Sequence, residues 1–64
     1  MSYIVTLTQK SFSGAETVSF WEFSTLTKAQ RFADTLECFG VARAIAEIVY
    51  DGFVIESHVK VFVS

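Results

Sequence analysis

The chain has no proline, one cysteine and one histidine in 64 residues. A lone cysteine forms no disulfide within its own chain, and one cysteine plus one histidine cannot complete a structural zinc site. No cofactor or metal is expected. Basic residues are also few. Lys10, Lys28, Arg31, Arg43 and Lys60 are scattered, and the net charge is −2. That pattern argues against nucleic acid or an anionic membrane as a partner, because both call for clustered Lys and Arg. No apolar run approaches the ~20 residues of a membrane-spanning helix. The opening Met1-Ser2-Tyr3 has neither a basic stretch nor a long apolar one, so no secretory signal is expected. With an unpaired thiol, this reads as a cytoplasmic protein.

Apolar residues are abundant. They make up 52% of the chain and aromatics 16%, while only 19% is charged; mean hydropathy is +0.44. A single domain of this size buries only about 60% of its unfolded surface. With no disulfide or metal, stability must come from a strongly apolar core or from oligomerisation.

Residues 3–10, YIVTLTQK, alternate: Tyr3, Val5 and Leu7 share one face, Thr6, Thr8 and Lys10 the other, with Ile4 out of phase. A turn region follows, rich in small residues around Gly14. Residues 17–23, TVSFWEF, form a second strand whose period breaks. A bulge at Phe20-Trp21 would gather Val18, Phe20 and Phe23 on one face; the alternative is a strand apolar on both faces. Thr27 and Gln30 make a capping-box pattern. Ala29, Phe32, Ala33, Leu36 and Phe39 follow as a helical stripe, and Gly40 is placed to end it. Lys28 and Arg31 share a helix face with Asp34 and Thr35, a solvated face.

Residues 41–50, VARAIAEIVY, carry helix-favouring alanines, but Asp51-Gly52 is a hairpin signal for a type I′ turn. A two-residue loop pairs Ile48 with Ile55, Ala46 with Ser57, Ala44 with Val59 and Ala42 with Val61. The small residues on that face let a helix sit close. The opposite face then sets Val49 against Val54, Glu47 against Glu56, Ile45 against His58, Arg43 against Lys60 and Val41 against Phe62. The resulting order is β-β-α-β-β, an α+β fold with a four-stranded antiparallel sheet and one helix on one face.

One helix cannot cover both faces of four strands. The open face is expected to carry Ile4, Ile45, Val49, Val54, His58 and Phe62, with Trp21 if the second strand is apolar on both sides. Exposed apolar patches of that size mark interaction sites. Phe12, at the first hairpin, either anchors a partner from a loop tip or folds back onto the core.

Chemistry-bearing residues are sparse. Glu47 and Glu56 facing one another, with His58 diagonal, are the nearest thing to an acid–base or metal-binding group. The preferred reading is a polar strip on a wet or interface face, since no nucleophile, oxyanion hole or phosphate loop accompanies them. Cys38 lies near the helix C-terminus beside Glu37, where the dipole disfavours a thiolate. The Gly14 turn lacks the GxxxxGK[ST] phosphate loop.

In size, acidity and lack of motifs, the chain resembles the small accessory proteins encoded by bacteriophages. That resemblance carries over no particular residue. It implies a short single-domain protein that occludes a host enzyme or defence factor. The residues point the same way, to a non-enzymatic protein-interaction module. It would be homodimeric through the open face, or would inhibit a larger protein through that face or an edge strand. The second reading is a small-ligand binder with a pocket between protomers, lined by Trp21, Tyr50, His58 and Phe62.

Overall fold

Two short turns organise the chain. At Asp51-Gly52 both residues take positive φ, 53° and 79°, the backbone of a type I′ turn. At the other hairpin the Gly14 N–H donates to the Ser11 carbonyl (3.0 Å) and the Ser11 N–H to the Ala15 carbonyl (2.8 Å). Gly14, at φ 95°, takes the left-handed step that closes this three-residue loop. The structure, a computed structural model, describes residues 2–36 and 41–60.

The elements are β1 (Tyr3–Ser11), β2 (Glu16–Phe23), α1 (Leu26–Thr35), β3 (Val41–Tyr50) and β4 (Phe53–Lys60). They form the α+β fold read from the sequence: one antiparallel sheet, order β2-β1-β3-β4, with a single helix. The two hairpins meet through β1 and β3, which leaves β2 and β4 as edges.

The helix starts earlier than the Thr27 capping box suggests. Thr25 is the N-cap: its backbone is extended and its hydroxyl accepts a hydrogen bond from the Lys28 N–H at 3.3 Å. Thr27 is instead the second helical residue, where its own N–H needs a cap rather than supplying one. The helix ends at Thr35, whose hydroxyl donates back to the Arg31 and Phe32 carbonyls. Phe39 and Gly40, the expected end of the stripe, lie outside the described residues.

Ala29 and Ala33 bring the helix down onto the sheet, against Val5 and Ile48. Leu7, Ala44 and Ala46 form a neighbouring buried cluster. Phe32 fits between Trp21 and Phe23, with ring centroids 4.7 and 5.0 Å away. Tyr3 stacks on Tyr50 across the β1–β3 pair at 4.4 Å.

Two register expectations are corrected. First, β2 has no bulge: it pairs with β1 without interruption from Tyr3–Phe23 to Lys10–Glu16. Strict alternation therefore turns Trp21 and Phe23 toward the helix and Val18 and Phe20 to the open face. Phe32 supplies the aromatic partner that makes this phase favourable, so the strand is apolar on both faces.

Second, the β3–β4 hairpin changes register. Tyr50–Phe53 and Val49–Val54 pair as expected, but Ile48 then stands opposite Glu56, Ala46 opposite His58 and Ala44 opposite Lys60. Ile55 is the extra residue of a bulge, and it inverts every later position of β4. The polar bond that accompanies this inversion is from the helix: Gln30 Nε2 donates to Glu56 Oε2 at 2.9 Å. The pairing expected between Ala42 and Val61 and between Val41 and Phe62 involves residues outside those described.

Candidate interaction face

The paired registers lay out the open face row by row. Glu22, Ile4, Val49 and Val54 form one row across the four strands. Phe20, Thr6, Glu47 and Ser57 form the next, and Val18, Thr8, Ile45 and Val59 the third. Glu16, Lys10 and Arg43 close that end. Two apolar rows thus flank a more polar one. Ile4, Ile45 and Val49, on the central strands, are half-buried by their neighbours. The edge positions are open: Phe20 is 68% exposed, Val59 60% and Val54 54%.

Four of the residues read from the sequence therefore do share this face: Ile4, Ile45, Val49 and Val54. Trp21 does not; it packs against Phe32 under the helix. His58 does not either, because the Ile55 bulge turns it to the helix side, opposite Ala46. Phe62 lies outside the described residues. Sequence reasoning missed Val18, Phe20 and Val59. Plain alternation from Val18 through Phe20 to Glu22 was the available signal for the first two. Nothing local signalled Val59, since its face depends on the bulge.

Phe12 sits at the tip of the first hairpin and is 66% exposed, so it does not fold back onto the core. The Glu47–Glu56–His58 group is dispersed. Glu47 faces Ser57 on the open side, while Glu56 and His58 point to the helix side. Among the described residues no cluster of metal-ligating side chains forms. Cys38 lies outside them. Trp21 and His58, expected to line a pocket between protomers, stand on opposite edge strands of the same chain, three strand spacings or roughly 14 Å apart. What the surface does hold is a shallow depression of about 310 Å³ bounded by Ile4, Phe20, Trp21 and Glu22.

The chain's large apolar side chains are distributed unusually. Among the described residues the large buried ones are Val5, Leu7 and Ile48, and the rest of the buried core is alanine. Phe12, Val18, Phe20, Phe53, Val54, Ile55 and Val59 are all exposed. No helix among the described residues is long and apolar enough to cross a membrane. No family model, curated protein or solved structure matches the chain.

Proposed function

We propose that this chain is a small non-enzymatic protein-interaction module that inhibits or regulates a larger protein through its open sheet face. The observation that carries this is the sheet face itself. Val18, Phe20, Ile4, Ile45, Val49, Val54 and Val59 cluster there, with the charges confined to its margin and one interior position, Glu47. An exposed sheet face with two apolar rows and few charges is the kind of patch that marks an interaction site. The resemblance to phage accessory proteins supports the same reading and suggests a host protein as the target.

Cross-linking tests it. Photo-cross-linkers placed at Thr6 and Thr8, away from β4, should capture a protein that a Val18→Glu, Phe20→Glu variant no longer captures. Capture that is indifferent to those substitutions, or that occurs only from the helix side, overturns the reading.

The depression beside Phe20 favours a second reading, a small-ligand binder. At about 310 Å³ it sits at the lower end of ligand-pocket volumes, roughly 300–1,000 Å³. A small molecule retained in native mass spectrometry and lost on Phe20→Ser supports that alternative.

A further inference from the structure

The two sheet edges differ in what they offer to a second strand. Hydrogen bonding along antiparallel pairs alternates. The Ser11–Ala15 bond sets the phase. Tyr3, Val5, Leu7 and Gln9 then bond β2, and Ile4, Thr6, Thr8 and Lys10 bond β3. Carried on to β4, the phase commits the main-chain groups of Glu56 and His58 to β3. Those of Ser57 and Val59 point outward, with no strand beside them among the described residues.

On β4 the side chains flanking Ser57 are self-complementary. Turning a second copy about a two-fold axis through Ser57, perpendicular to the sheet, sets Glu56 opposite the second copy's His58. The same pair recurs on the other side of the axis. Each carboxylate meets an imidazole, and the small Ser57 meets itself. Exposed Val59 reaches the level of Ile55, the bulge residue, so the regular pairing runs from Glu56 to His58 of each copy. On β2 the same operation finds no side chain to receive a carboxylate, because its charged residues are Glu16 and Glu22. Self-pairing there about Ser19 would set Glu16 against Glu22. The helix also leans away from β4: it packs on β1, β2 and β3, and the Gln30–Glu56 bond is its hydrogen bond to β4.

We infer that a second copy of this chain pairs antiparallel with β4 about Ser57, joining the two sheets into one of eight strands. The pairing is isologous and closes at two subunits. It places both helices on one side and both open faces on the other, so the interaction face doubles in width. This deepens the function proposed above and rests on it for its purpose, but its test is separate.

Molar mass by light scattering over a dilution series reads it directly. Wild type should run at twice the 7.2 kDa chain mass and dissociate on dilution. Ser57→Pro removes an outward N–H without touching the β3 ladder, and should leave a folded monomer. His58→Glu opposes two carboxylates twice and should weaken association about tenfold. Adding Glu56→Lys to His58→Glu sets opposite charges against each other and should recover most of that loss. Circular dichroism confirms that each variant folds. If Ser57→Pro does not fold, the His58→Glu single and its charge-reversed partner decide alone. A wild type that is monomeric at all concentrations overturns the inference, as does a dimer broken by Phe20→Glu but not by the β4 variants. A β4 dimer whose open face captures no protein leaves this pairing standing and removes the function above.

Discussion

The two faces of one sheet are apolar in different ways. Under the helix the buried positions are mostly small: Ala29 and Ala33 on α1, Ala44 and Ala46 on β3. On the open side the apolar positions are large and at most half-buried: Phe20, Ile4, Ile45, Val49, Val54, Val18 and Val59. Hydrophobicity alone does not place a side chain inside. Small residues are inside because they permit close approach of helix and strand, after which Val5, Leu7 and Ile48 fill what space is left. Trp21, Phe23 and Phe32 complete that side at the β2 end, while Val18, Phe20, Val54 and Val59 stay exposed. This division suits a domain of this size, which has one helix to spend on two faces.

Substitutions sharpen that contrast, and urea melts at one fixed protein concentration measure it. Ile48→Ala hollows the centre of the covered face, where the side chain is fully buried, and should cost about 2–5 kcal/mol. Ala33→Leu tests the alanine seam from the opposite direction. Its position is 1% exposed, so overpacking should cost about 1–3 kcal/mol and lift the helix. Thr25→Ala removes the hydroxyl that accepts from the Lys28 N–H and should cost about 1 kcal/mol. Phe20→Ser, on the open face, should change stability by no more than about 0.5 kcal/mol while weakening partner capture. If Phe20→Ser destabilises as much as Ile48→Ala, the two faces are equivalent and the contrast is broken.

The hairpin at Asp51-Gly52 was legible because its cause is local: two consecutive positive φ values need residues of that kind. The helix was legible for the same reason, through its stripe, although its cap was displaced from Thr27 to Thr25. β2 was harder to read. Val18, Phe20, Trp21 and Phe23 are apolar at both parities, so period alone cannot say which pair faces the core. Phe32, on another element, decides that.

The β4 register was not legible at all. Ile55 gives no local sign of a bulge. Regular pairing, which kept Glu56 away from the helix, was the reasonable reading of an apolar strand. The Glu47–Glu56–His58 group seen in the sequence was a product of that register, and it came apart when one residue slipped.

By itself, the sequence determined the element types, their order, the tight turn at Asp51-Gly52 and an excess of apolar surface beyond what one helix covers. These follow from periodicity and backbone preference, which act over a few residues. Only the tertiary structure decided the strand order β2-β1-β3-β4, the side taken by Trp21, and the facing of Glu56 and His58. Each of those depends on contacts between residues far apart in the chain. In a strand, a shift of one position exchanges the two faces completely.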